Sequence, residues 1–240
     1  VTGVQTCALP ICNLAFTLSL YSGQMCTTSQ AIFVPAGGIQ TDEGHKSFDE
    51  VCTDLASAIE GFLSKPEVAC AVLGAMQSAD TVKRIEQANS GAYGRVVLQS
   101  HPLQNPEFPK ADVRTPVLVA CDAADEAAFM EERFGPISFI VKTANTAASI
   151  ALSERVTSTH GALTAGVYST DAKVIESMTA ATWRSKVALS INLTGGVFVN
   201  QSAAFSDFHG TGGNPAANAS YADSAFVANR FRVVQRRYHA

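Results

Sequence analysis

A cysteine follows a short polar turn near the beginning of the chain, in the run Ser22-Gly23-Gln24-Met25-Cys26. Before the turn, Leu14, Leu18 and Tyr21 have helical spacing, and after it comes an apolar run typical of a strand. A cysteine on such a turn can be exposed beside backbone N–H groups, which lower a thiol pKa and stabilise an oxyanion. Because a cysteine after a glycine is more often structural, the spacing alone leaves both interpretations open.

A second polar segment, Glu131-Glu132-Arg133-Phe134-Gly135-Pro136, lies between two apolar runs. Taken alone, Glu132 could be a solvated loop acid and Phe134 could belong to the core. The position of the segment between two predicted strands makes both residues candidates for a site at the end of a sheet.

Apolar strands alternate with amphipathic helices along the chain, which predicts a mainly parallel sheet covered by helices on both faces, an α/β fold. A capping box, Ser47-Phe-Asp-Glu50, begins one of these helices. Residues 207–223 are rich in Gly, Asn and Ala and predict a long loop, and the alternation at 230–233 predicts a C-terminal edge strand. The predicted strands are 31–35, 95–99, 115–121, 138–142, 163–168 and 196–200; the predicted helices end near 21, 63, 91, 156 and 183.

Composition excludes several classes of protein. With 240 residues, 47% of them hydrophobic and only 16% charged, the chain can bury a sizeable core. The net charge of −4 argues against a nucleic-acid partner, and the sequence contains no apolar run of the roughly 20 residues that span a membrane. Six irregularly spaced cysteines without a CxxC pair predict neither a disulfide framework nor a metal site. A soluble, cytoplasmic protein is expected.

The two polar segments together resemble the aldehyde dehydrogenase superfamily. Gly23-Gln24-x-Cys26 is similar to its nucleophile motif, and Glu132-x-Phe134-Gly135-Pro136 is similar to its second signature. The distance between them and the later strands also fit the order of the family, so the resemblance extends over about 13–200. It implies the catalytic-domain fold, an NAD or NADP cofactor, a small-molecule aldehyde substrate and a homo-oligomer for the full-length protein.

Roles follow from the resemblance residue by residue. Cys26 matches the nucleophile, whose thiolate attacks an aldehyde to give a thiohemiacetal and then a thioester. Glu132 matches the carboxylate that accepts hydrogen bonds from the ribose next to the nicotinamide, and Phe134 matches an aromatic residue near the same end of the cofactor. The family's Pro-Phe-Gly-Gly-x-Lys segment is replaced by other residues at 204–213, so the usual pocket is not implied.

Within the superfamily, Ser22 to Thr28, the segment 41–50 and the basic tail 232–238 are most similar to the PaaN type of phenylacetate degradation. That branch implies a CoA-linked semialdehyde as substrate. Two alternatives stay open: a non-catalytic assembly module of the same fold, and a dehydrogenase that transfers the acyl group to CoA.

The sequence is predicted to contain three regions. Residues 1–11 resemble the translation of a sequencing adapter, and Cys12 would straddle the junction, so 1–12 is predicted to be a non-native tail. Residues 13–225 would form the catalytic domain and 226–240 an oligomerisation strand and tail. The cofactor-binding half, the oxyanion-hole asparagine and the general-base glutamate precede the nucleophile in the family, so the chain alone is expected to be inactive.

Overall fold

The computed structural model describes residues 8–194 and 234–236. Its main sheet has four strands in the order β1-β8-β7-β4, of which β1, β8 and β7 are parallel and β4 is antiparallel to β7. Three smaller sheets pair β2 with β3, β5 with β6, and β9, β10 and β11 in parallel. The strands are β1 Ala31–Pro35, β2 Ile39–Thr41, β3 Gly44–Lys46, β4 Arg95–Leu98, β5 Pro102–Leu103, β6 Val113–Arg114, β7 Val117–Asp122, β8 Ile137–Thr143, β9 Thr164–Val167, β10 Ala188–Ile191 and β11 Val234–Arg236.

The helices begin where capping side chains satisfy their first N–H groups. The predicted capping box is present: the Ser47 amide donates to Glu50 Oε2 over 2.7 Å, and the Glu50 amide donates to Ser47 Oγ over 3.3 Å. The Ser47 contacts also lower the pKa of Glu50. The helices are α1 Ala8–Ser19, α2 Phe48–Phe62, α3 Pro66–Val72, α4 Ala79–Asn89, α5 Glu126–Phe129, α6 Thr146–His160 and α7 Ala172–Ser185, and a 3₁₀ turn covers Leu20–Gly23.

Alternate side chains of the two central strands pack on opposite faces of the main sheet, as the period of two requires. Leu118, Ala120 and Ile140 contribute to a cluster with α1 and α2 on one face. Val119 and Phe139 contribute to a cluster with α4, α5 and α6 on the other face. Both central strands are therefore buried on both sides, which explains their continuous apolar runs.

The α/β architecture with a mostly parallel sheet agrees with the sequence prediction. The sequence analysis did not predict that β4 would be antiparallel. It also missed several short elements: α3, α5, β2, β3, β5, β6 and β10. Helix α1 begins at Ala8, before the predicted boundary at residue 13, and Ile11 lies in the first cluster with only 9% of its surface exposed. The adapter origin of 1–12 stays a prediction.

The C-terminal predictions fall largely on residues that the structure does not describe. The strand at 196–200, the loop at 207–223 and the alternation at 230–233 lie outside the described ranges. The described strand β11 falls within the predicted tail 226–240 and stands at the edge of the three-stranded sheet, next to β10.

Candidate functional site

The turn before Cys26 has an unusual backbone. Tyr21, Ser22 and Gly23 all lie in the left-handed region, with φ values of 50°, 54° and 62°. For the two residues that are not glycine this conformation costs about 1–2 kcal/mol each. Such strain persists only where the surroundings hold it in place, and it is concentrated at functional sites.

Hydrogen bonds hold this turn against the segment 74–77. The hydroxyl of Ser22, which is fully buried, lies 3.0 Å from the carbonyl oxygen of Gly74 and 2.8 Å from that of Arg114, and the Gly74 amide donates to it over 3.2 Å. Gln24 adds two bonds, from its side-chain nitrogen to the carbonyl of Ala75 at 2.9 Å and from the Gln77 amide to its side-chain oxygen at 3.1 Å. The turn is thus fixed from two sides.

The two polar segments meet through their glycines. A Cβ placed on Gly23 would lie 2.6 Å from the carbonyl oxygen of Gly135 and 2.8 Å from the Cα of Pro136. A Cβ on Gly135 would lie 2.5 Å from the Cγ2 of Thr81 on α4. The missing side chain of Gly23 therefore allows the two segments to approach, whereas the missing side chain of Gly135 allows the second segment to pack against α4.

Three side chains fix the backbone of the loop 131–136. The amide of Gln30 accepts from the N–H of Arg133 at 2.6 Å and donates to the carbonyl of Glu131 at 3.0 Å. The guanidinium of Arg84 donates to the carbonyl of Phe134 at 3.1 Å. Arg133 donates to the carbonyls of Ala127 and Ala128, and its guanidinium carbon lies 4.2 Å from the centre of the Tyr93 ring.

Cys26, Glu132 and Phe134 are exposed on this fixed backbone. Desolvation by the surrounding protein raises the pKa of the Cys26 thiol, and the negative charge of Glu132 raises it further, against the backbone N–H groups of Cys26 and Thr27. The carboxylate and the thiol therefore lie within electrostatic range. The backbone N–H groups of Cys26 and Thr27 lower the pKa of the thiol, as such a turn allows, but burial and Glu132 together outweigh them.

The thiols inside the fold have different surroundings. Desolvation raises the pKa of Cys52, on the buried face of α2, to about 11, and that of Cys121, in β7, to about 12.

Within the described residues, no group of three or more His, Cys, Asp or Glu side chains could hold a metal ion. In the same residues, no helix is long and apolar enough to cross a membrane.

Sequence reasoning missed the residues whose side chains hold the backbone of the two site loops by hydrogen bonds. Ser22 was part of the quoted motif but had no assigned role, and Gln30 and Arg84 carried no signal because their partners are backbone atoms 50 or more positions away. Two hydroxyls that follow Cys26 in the chain, Thr27 Oγ1 and Thr28 Oγ1, are buried without a hydrogen-bond partner in the described part of the chain.

Comparison with known proteins identifies the family. The model of the aldehyde dehydrogenase family matches residues 9–222, which is most of the chain. The chain belongs to the aldehyde dehydrogenase family. A comparison with curated proteins found no match.

Solved structures agree with this assignment. An NAD-dependent aldehyde dehydrogenase from Burkholderia multivorans is 52% identical, with a TM-score of 0.85 over 95% of this chain and 41% of that one. A methylmalonate-semialdehyde dehydrogenase described as putative, from Sinorhizobium meliloti 1021 with NAD, is 12% identical, with a TM-score of 0.56 over 80% of this chain and 38% of that one. Aldehyde dehydrogenase C from Pseudomonas syringae, with NAD+ and octanal, is also 12% identical, with a TM-score of 0.51 over the same shares.

The two distant structures share the fold alone, whereas the Burkholderia multivorans protein is a relative by sequence as well. The chain spans about two fifths of the length of these relatives.

Proposed function

We propose that the protein of which this chain is part oxidises an aldehyde to a carboxylic acid with NAD, and that Cys26 is the nucleophile. The observation that supports this best is the contact of Gly23 with Gly135 and Pro136, because it joins the two motifs into one site. An exposed thiol and an exposed carboxylate within electrostatic range lie on that contact.

The chemistry begins with the sulfur. The thiolate of Cys26 attacks the aldehyde carbon, and the carbonyl oxygen takes up a proton to complete a thiohemiacetal. The backbone N–H groups of Cys26 and Thr27, which already act on the sulfur, are the donors that this chain offers to an oxyanion at this point. Loss of a hydride from the carbon and of the proton from the hydroxyl gives a thioester, which water then cleaves to the thiol, the carboxylate and a proton.

The raised pKa of Cys26 bears on how the thiol is activated. At neutral pH the sulfur is protonated, so a base must remove its proton before the attack. The family resemblance assigns this task to a glutamate that precedes the nucleophile in the longer protein.

The chain offers two residues to the nicotinamide end of the cofactor. The carboxylate of Glu132 is exposed and makes no hydrogen bond or salt bridge with the described residues, so both its oxygens can accept from ribose hydroxyls. Phe134 is 41% exposed beside it and can pack against the ring. These groups fit a dinucleotide, which supplies the hydride acceptor when bound. The 52% identical relative is an NAD-dependent enzyme, which favours NAD over NADP.

For the substrate we propose a CoA-linked semialdehyde of phenylacetate degradation, as the similarity to the PaaN type suggests. We further propose that the full-length protein is a homo-oligomer whose contact includes 226–240, since β11 offers an edge of the three-stranded sheet. Gel filtration of the complete protein with and without this segment tests the second point.

The test of function is NADH formation by the complete protein, by this 240-residue chain and by a Cys26→Ser variant of the complete protein. Free aldehydes and CoA-linked semialdehydes are compared as substrates, with and without added CoA. Activity of the complete protein that is lost with Cys26→Ser supports the proposal, and acyl-CoA as the product would favour the acylating alternative. No activity with any aldehyde would favour an assembly module.

Turnover by the isolated chain should be far below that of the complete protein. Loss of an oxyanion donor costs about 10²–10³ in rate, and loss of the general base costs about 10²–10⁴ more. Turnover within about tenfold of the complete protein would contradict the placement of these groups outside the chain.

A further inference from the structure

Gln30 has an unusual relation to Glu132. Its side-chain oxygen accepts from the N–H of Arg133 at 2.6 Å, and its side-chain nitrogen donates to the carbonyl of Glu131 at 3.0 Å. One amide thus binds the backbone on both sides of Glu132, in the way that a neighbouring strand would. The side chain of Glu132 takes no part in these two hydrogen bonds and is exposed.

Gln30 is itself held by the main sheet. Its carbonyl accepts from the amide of Phe139 at 2.7 Å, immediately before β1 pairs with β8. It also follows Cys26 by only four positions. The segment 26–30 therefore carries the Cys26 thiol at one end and, at the other end, the Gln30 amide that binds the loop 131–136.

The other side chains that hydrogen-bond to the loop 131–136 do not hold the backbone on both sides of Glu132 as Gln30 does. Arg84 binds the carbonyl of Phe134, and the side chain of Arg133 reaches away to the carbonyls of Ala127 and Ala128. Neither contacts both neighbours of Glu132. Because the carboxylate makes no hydrogen bond within the described residues, its direction depends on the backbone that Gln30 holds.

We propose that Gln30 is a positioning residue, which fixes Glu132 beside Cys26 so that thiol and cofactor-binding carboxylate keep one relative placement. The inference rests on the proposed function for the role of Glu132. It adds a specific residue, outside both motifs, through which the two motifs are coupled.

A double-mutant cycle tests this. The apparent pKa of Cys26 is measured from the pH dependence of its alkylation by iodoacetamide, followed by peptide mapping, in four proteins: the unchanged chain, Gln30→Met, Glu132→Gln and the double variant. Methionine keeps the length of the side chain but removes both hydrogen bonds. Gln40→Met is the matched control, because Gln40 is exposed and its side-chain amide, among the described residues, binds only the carbonyl of Thr41.

We expect Glu132→Gln to lower the pKa of Cys26, since a negative charge is removed, and Gln30→Met to lower it by a smaller amount, since the carboxylate is released. In the Glu132→Gln background, Gln30→Met should have no further effect. A purely structural role would lower the melting temperature without this dependence on Glu132. If Gln30→Met does not fold, as judged by circular dichroism, Gln30→Asn keeps the amide but is too short for both bonds, and it takes the same place in the cycle.

Two different results would overturn two different statements. If Glu132→Gln lowers the pKa and the change at Gln30 does not, or if the two shifts add in the double variant, Gln30 does not act through Glu132. If Glu132→Gln leaves the pKa unchanged, the shared site in the proposed function is wrong.

Discussion

The two loops of the site are fixed in opposite ways. The turn 20–26 has a strained backbone that the buried hydroxyl of Ser22 holds in place, so its main anchor lies inside the fold. The loop 131–136 is held by long side chains, those of Gln30, Arg84 and Arg133, which are half-buried. Thus the turn that carries the thiol should tolerate little change, whereas the loop that carries the carboxylate should adjust. A nucleophile needs a fixed direction of attack, while a residue that binds a cofactor can follow its ligand.

The largest difference is expected between the alkylation rates of the exposed thiol and the two buried thiols. At pH 8 the thiolate fractions of Cys52 and Cys121 should be lower than that of an ordinary thiol by about 100-fold and 1,000-fold, given their pKa values of about 11 and 12. Alkylation of the folded chain, mapped by mass spectrometry, should therefore modify Cys26 well before either of them. Earlier modification of Cys52 or Cys121 would contradict the burial described here.

The same pKa values predict how stability depends on pH. Folding raises both values above the ordinary value of 9.0, so the folded state favours the protonated thiols. Their contribution is complete below about pH 9 and is lost as the pH rises toward 11–12. Urea unfolding at pH 8 and pH 10.5 measures this loss, which should be smaller in Cys121→Ala.

Replacement of Gly23 by alanine should break the fixed turn. The new Cβ would combine the left-handed backbone with a 2.6 Å approach to the carbonyl of Gly135, and the two costs together should reach about 2–4 kcal/mol. Chemical denaturation followed by circular dichroism measures this loss. Gly61→Ala is the control with the opposite sign: it lies in α2 in open space, so alanine should stabilise the chain by about 0.5–1 kcal/mol. Equal effects of the two variants would refute the contact.

Ser22→Ala removes the buried hydroxyl and leaves the groups at Gly74 and Arg114 without that partner, so we expect a loss of about 1–3 kcal/mol. Ser90→Ala is the matched control, since Ser90 is exposed and its hydroxyl binds only the carbonyl of Gln87 within 8–194 and 234–236. A loss no greater than that of the control would show that Ser22 does not anchor the turn.

Arg133→Met should have the smallest effect among the site variants, about 1 kcal/mol, because methionine keeps part of the packing against Tyr93 while the bonds to Ala127 and Ala128 are lost. Thermal melting measures it. If Arg133→Met destabilised the chain more than Ser22→Ala, the proposed difference between the two loops would be reversed.

The longer strands and helices could be predicted from the sequence because hydrophobic runs and capping residues are local signals. Apolar runs that are buried on both faces, together with the capping box at Ser47, locate β7, β8 and α2 to within about two residues. The short helix α3 and the antiparallel direction of β4 were missed, because a seven-residue helix has little periodicity and strand direction depends on distant pairing. The motif residues were found through their types, whereas Ser22, Gln30 and Arg84 act on backbone atoms far along the chain, which no local pattern records.

The central statement is that Cys26 and Glu132 share one site, and the most direct measurement compares two neighbouring carboxylates. The apparent pKa of Cys26, obtained from its alkylation rate between pH 7 and 11, is measured in Glu132→Gln and in Glu131→Gln. Both residues are exposed, and the charge of Glu132 raises the pKa of the Cys26 thiol. We expect the pKa of Cys26 to fall in Glu132→Gln and to stay unchanged in Glu131→Gln. An unchanged pKa in Glu132→Gln, or equal shifts in the two variants, would contradict the site.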